Sequence, residues 1–151
     1  MSDKYVSYMR TPGNGMRCIS GMTAYDEKLI DSRLVSRYIN ACGQVLPEMH
    51  LPDSLFKFDD KWSDMAYLLS VEGETLKSGW TLDESCEVSS CPPFGNSGYM
   101  MTLRHEHIPL RVQVLTSADG YGWIARCLKL ENIGVKYLPL DFVAPFSGRI
   151  W

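Results

Sequence analysis

Apolar and polar positions alternate most clearly in the last third of the chain. Leu110, Val112 and Val114 fall on every second residue, and Ile124, Leu128 and Leu130 share one parity. A period of two puts such residues on one face of a strand. The pattern predicts strands over 99–107, 110–116, 122–130 and 135–143, broken by Pro109, by Asp119-Gly120 and by Glu131-Asn132-Ile133-Gly134. Connections this short join antiparallel neighbours, so the four form a meander. Near the N-terminus, Tyr5–Met9 and Met16–Ile19 flank Thr11-Pro12-Gly13-Asn14-Gly15. Gly and Asn accept a positive φ there and Pro fixes a negative one, which predicts a hairpin.

Between residues 23 and 43 the spacing changes. Ile30, Leu34, Tyr38 and Ala41 recur at helical intervals, Thr23 and Asp26 stand as a capping pair, and Gly43 suits the C-terminal position. This predicts one long helix, apolar over most of its circumference and lying across the sheet. A second, short helix is predicted from Asp59 to Val71, burying Trp62, Met65, Ala66 and Leu69. Residues 66–71 read equally well as a strand, because a short apolar run does not fix the period. From Gly73 to Gly98 the composition turns to Gly, Ser, Glu, Cys and Pro, read as a long loop with one strand around Trp80. The expected fold is a single α+β domain over residues 1–151. It has an antiparallel sheet, made of the N-terminal hairpin and the C-terminal four-strand meander, packed against the long helix and the short one.

Composition narrows the function classes. The net charge of −3 gives no general attraction to nucleic acid or anionic lipid. The acidity is local: residues 53–87 carry nine acids and three bases. Asp59, Asp60, Asp64, Glu72 and Glu74 lie in that stretch and are candidate partner-binding residues, although acids near a helix start are also explained by the helix dipole. Basic and aromatic residues share the C-terminal sheet, but no RNP-type motif accompanies them, which argues against nucleic acid. No apolar run reaches the roughly 18–20 residues that span a bilayer, so no membrane partner is expected. The polar opening Met1-Ser2-Asp3-Lys4 lacks the apolar core of a signal peptide, and five cysteines form no disulfide framework. The expected compartment is the cytoplasm, with reduced thiols.

The candidate chemistry gathers around the first C-terminal strand. Cys86, Cys91, His105 and His107 offer two thiolates and two imidazoles, the donors zinc prefers. His105 and His107 share a strand face with Tyr99, Met101 and Leu103, so burial is expected there. The Cys-x4-Cys and His-x-His spacings depart from the usual zinc patterns, and buried thiols with hydrogen-bonded histidines are the competing interpretation. The favoured expectation is therefore no cofactor, with zinc as the alternative. The chain ends in Ile150 and Trp151, two large apolar residues suited to anchoring on a partner or on the same chain. No complete catalytic signature is present. The pattern points to a non-catalytic protein-binding module of accessory or inhibitor type, acting on a protein partner or by self-association. The alternative is a small metal-dependent or thiol enzyme built on the Cys/His set.

Overall fold

The computed structural model describes residues 5–41 and 65–147, and these contain strands and no helix. Eleven strands follow one another: β1 (Val6–Thr11), β2 (Gly15–Ser20), β3 (Thr23–Ile30), β4 (Arg33–Asn40), β5 (Leu68–Val71), β6 (Glu74–Thr75), β7 (Trp80–Val88), β8 (Gly98–His105), β9 (Leu110–Ala118), β10 (Ile124–Asn132) and β11 (Leu140–Ala144). They form two four-stranded meanders, β1-β2-β3-β4 and β10-β9-β8-β7, and a small sheet in the order β11-β5-β6. All pairings are antiparallel. The architecture is a β-sandwich with a short third sheet, not α+β.

The expected long helix is a β-hairpin, β3–β4. Ile30 pairs with Arg33 across a two-residue turn, Asp31-Ser32, where φ is +47° and +58°. Two successive positive φ values are the type I′ geometry, whose twist matches that of the flanking strands. Ile30 and Leu34 sit on opposite sides of this turn, so their four-residue spacing has no helical meaning. Strand alternation is hidden too: Ala24, Tyr25, Asp26 and Glu27 are all buried, and the register shifts between Asp26 and Glu27. Of the second expected helix, Asp59–Asp64 lie outside the described residues. Its remainder is extended, with Met65 bridging Val35 and then β5. Much of the expected 73–98 loop is also strand, since β7 runs for nine residues. The N-terminal hairpin and strands β8, β9 and β10 stand where the alternation placed them. The fourth strand of the meander is β7 and not 135–143, because β11 pairs with β5 in the small sheet.

One apolar core joins the sheets. Met16, Cys18, Tyr25 and Leu34 of the N-terminal sheet meet Met101, Leu103, Val112 and Val114 of the C-terminal one, with Leu69, Tyr67 and Trp80 between. Each large apolar side chain fully buried there contributes about 1.5–3 kcal/mol. A polar link crosses the same core. Arg126 Nη2 donates to Glu27 Oε2 at 2.6 Å and to Thr116 Oγ1 at 3.0 Å, and both charged side chains are fully buried. Tyr25 Oη also donates to Glu27 Oε2, at 2.8 Å. The guanidinium lies 5.1 Å from the Tyr25 ring and 4.7 Å from the Phe146 ring.

The sheets are tied at their rims as well. Trp80 N donates to Ser32 O, and Tyr8 Oη to Ser97 O. No helix among the described residues is long and apolar enough to cross a membrane.

The β3–β4 turn is open to improvement. Non-glycine residues in the left-handed region cost roughly 1–2 kcal/mol. Replacing Asp31-Ser32 by Asn-Gly is expected to stabilise the protein by about 0.5–1 kcal/mol. Urea unfolding checks this; a helical turn there would instead be destabilised by the glycine.

Candidate functional site

The strand end at His105 is tightly specified. His105 pairs with Trp80 across β8–β7, and the imidazole meets the Trp80 ring edge-on at 5.0 Å. Its Nε2 lies 2.9 Å from Ser78 O, and its Nδ1 accepts from His107 N at 3.2 Å and Ile108 N at 3.1 Å. Two amide donors on Nδ1 require the proton to sit on Nε2, so the ring is neutral and both nitrogens are occupied. Burial holds the His105 pKa below its ordinary value, and the Ser78 carbonyl only partly opposes this. A side chain at residue 79 would press on the ring, and Gly79 holds φ at +85°. His107 is exposed beside Glu106, with 4.0 Å between Nε2 and Oε2. An open groove of about 460 Å³ passes this tip between Thr81 and Pro109.

The two cysteines lie elsewhere. Cys86 pairs with Met100, five residues along β8 from His105, which is about 17 Å at strand rise. Cys91 is buried in the loop after β7, where its carbonyl accepts from Gly95 N and its amide donates to Asn96 O. The chain can pass only because residue 98 is glycine: a Cβ there would collide with Cys91. Burial raises the Cys91 pKa, which disfavours the thiolate. The structure thus brings His105 and His107 near each other and leaves Cys86 and Cys91 apart from them. Among the described residues no group of three or more His, Cys, Asp or Glu could hold a metal ion. Glu72 and Glu74 are exposed at the β5–β6 turn. Asp59, Asp60, Asp64, Ile150 and Trp151 lie outside the described residues.

Three surfaces remain that could meet another molecule. The first is the outer face of β7–β10, where Glu84, Thr102, Gln113 and Lys129 pair in register and form one row across four strands. Strand parity put Thr102 on the face away from Met101 and Leu103, but Glu84 fell in the expected loop and the register that aligns the four was not readable. The second is the β9–β10 turn. Asp119 Oδ1 accepts from Tyr121 N at 2.8 Å, Trp123 N at 3.0 Å and Ser20 Oγ at 3.2 Å. Desolvation would raise the Asp119 pKa, but these bonds outweigh it and hold the carboxylate below its usual range. Tyr121 and Trp123 project from this pinned turn, exposed. The third is the segment around β11, where Val135, Tyr137, Leu140, Phe142, Val143 and Phe146 are all exposed.

The His105 geometry fixes a pH response. The folded-state pKa lies below the unfolded value of about 6.5. The unfolded chain therefore takes up the proton first, and acid destabilises the fold. His105's contribution is complete above about pH 6.5 and is lost as pH falls through the lower folded pKa. An NMR titration is expected to place the His105 ring midpoint below 6.5, with urea stability falling between pH 7.5 and 5.5. A midpoint above 6.5 would contradict the assignment.

Comparison with known proteins adds a fold and no family. No family model and no curated protein matches the chain. Among solved structures, the chain is similar to the GH36 alpha-galactosidase AgaB from Geobacillus stearothermophilus, with a TM-score of 0.61 over 89% of this chain. The identity is 16%, a level at which the likeness is one of fold alone. The match spans about a quarter of that protein, 24% of its chain.

Proposed function

We propose that this chain is a non-catalytic β-sandwich module that works by docking onto a protein partner. The observation that carries this reading is the apolar surface around β11. Tyr137 is 85% exposed and Phe142 54%, on a segment whose edge strand, among the described residues, pairs only with β5. Soluble proteins rarely leave a continuous apolar stretch and a free strand edge together, because the combination invites association. Aromatic residues of this kind are the usual anchors of interfaces. The fold likeness to about a quarter of a longer enzyme chain is compatible with a module that has a folded neighbour. The thiols of Cys18, Cys86, Cys91 and Cys127 are free, which suits a reducing cytoplasmic setting.

The alternative, a metal-dependent or thiol enzyme, draws less support. Both His105 nitrogens are engaged, and burial pushes the Cys18 thiol up to about 12 and raises Cys91. Zinc titration followed by thermal unfolding is expected to leave the melting temperature unchanged, and a stoichiometric rise would favour the enzyme.

A photocrosslinking residue at position 142 tests the docking reading in the native cell. The expected result is one discrete protein adduct, absent with the crosslinker at Glu87 on the opposite sheet. Tyr137→Ser with Val135→Ser should weaken the association by roughly tenfold or more while the fold is kept. Sedimentation of purified protein separates self-association from a different partner. No adduct at 142 together with a monomer at all concentrations would overturn the proposal.

A further inference from the structure

Three connections at one end of the sandwich are joined into a single surface. Gly21, in the β2–β3 turn, donates its amide to Tyr5 O at 2.9 Å. A side-chain carbon on Gly21 would lie 2.9 Å from Gly120 O and 3.4 Å from the Tyr121 carbonyl carbon, so the β2–β3 and β9–β10 turns are in backbone contact. Ser20 Oγ fastens them, accepting from Gly120 N at 2.9 Å and Gly122 N at 3.3 Å. The β7–β8 loop meets the same end: Asn96 Nδ2 donates to Ala118 O at 2.7 Å, and Ser117 Oγ to Pro92 O at 2.9 Å. Tyr5, Met22, Phe94, Tyr121 and Trp123 stand exposed on these elements, Trp123 at 72%.

Area and charge together indicate what covers this end. An enclosed aromatic side chain buries about 150–250 Å², so the exposed fractions of Tyr5, Phe94, Tyr121 and Trp123 amount to roughly 350–580 Å². One side of a standard protein interface buries about 800 Å², about 56–65% of it apolar, or roughly 450–520 Å². The aromatic groups alone match that share, which is far more than a small ligand covers. Aromatic residues with Met are also the composition of interface centres. Charge then selects the occupant. Residues 21–22, 89–97 and 119–123 carry one charged side chain, Asp119, whose Oδ1 already accepts three hydrogen bonds. In a two-fold contact each group lies near its own copy, so like charges oppose it. A nearly charge-free face meets its copy without that cost. The β11 surface lacks this property, having Asp141 in the strand and Glu72 bonded beside it. The turn is also pinned before any contact, so association orders little.

We infer that two copies of this chain associate through this end across a two-fold axis, with Tyr121 and Trp123 at the centre and Tyr5, Met22 and Phe94 around them. β11 bonds to β5 and to the β5–β6 turn and not to these connections. The inference therefore stands or falls apart from the docking reading.

The test is sedimentation equilibrium of the purified chain from about 1 μM to 1 mM. A monomer–dimer equilibrium that stops at the dimer is expected, because a two-fold contact is closed. Trp123→Glu removes the aromatic group from both copies and sets like charges near the axis. Dimerisation should weaken about 100-fold or more, about tenfold for each copy. Trp123 is exposed, so the melting temperature of the dilute monomer should be unchanged. Tyr137→Ser with Val135→Ser should leave the dimer intact, which separates this face from β11. The inference is overturned by a chain that stays monomeric to about 1 mM, by assembly beyond the dimer, or by a dimer that Trp123→Glu leaves as tight. Loss of the dimer in the Tyr137 and Val135 variant would overturn it too.

Discussion

The two large sheets are held in their mutual register by one buried ion pair, Glu27 with Arg126. The pair does not supply the bulk of the stability. Replacing a buried pair by apolar groups of similar volume is often neutral or favourable by about 1–4 kcal/mol, because desolvation offsets the attraction. Here the balance is tighter still, since Glu27 Oε1 and Arg126 Nε make no hydrogen bond. The apolar core holds the sheets together. What the pair adds is position: a carboxylate on β3 and a guanidinium on β10 can be buried only where they meet. A slipped sheet would leave two unpaired charges in the core.

Other features follow from that constraint. Tyr25 gives Glu27 Oε2 a second donor beside Arg126, and burial pushes its phenol up so that it remains a donor. Burial alone would lower the Arg126 pKa, but Glu27 and Tyr25 outweigh it and hold it raised. Arg126 Nη1 also reaches Ala66 O at 3.3 Å, and Ser147 N donates to the same carbonyl at 3.1 Å. Phe146, edge-on to Tyr25, closes over the guanidinium. The segment that shields the ion pair thus continues directly from β11. Its apolar residues point both ways, Phe146 toward the pair and Tyr137 and Phe142 outward, which joins the exposed apolar surface to the core.

The same pair explains where sequence reading succeeded and where it did not. Strands β8 to β10 were legible because residues such as Leu110, Val112 and Val114 have one buried face and simple partners. The expected fourth strand at 135–143 was misplaced, since β11 pairs with β5 and β7 completes the meander. The β3–β4 hairpin was not legible. Asp26 and Glu27 look like surface residues, yet Arg17 pairs with Asp26 at 2.9 Å and Arg126 neutralises Glu27 from 99 residues away. With charges buried among apolar neighbours, the period of two vanished and a helical spacing remained. The turn carried Asp31-Ser32 where Asn-Gly would have announced it. For the candidate site, parity correctly put His105 on the apolar face. The register that separates Cys86 from it, and that aligns Glu84, Thr102, Gln113 and Lys129, is a property of pairing between strands.

The most direct test is a double-mutant cycle on Glu27 and Arg126, followed by urea unfolding. Arg126→Met and Glu27→Leu should each cost about 3–5 kcal/mol, because each leaves a buried charge alone. The double variant should be more stable than either single one, a strong coupling between residues 99 positions apart. Costs that simply add would contradict the account, for the two side chains would then not be setting each other's place.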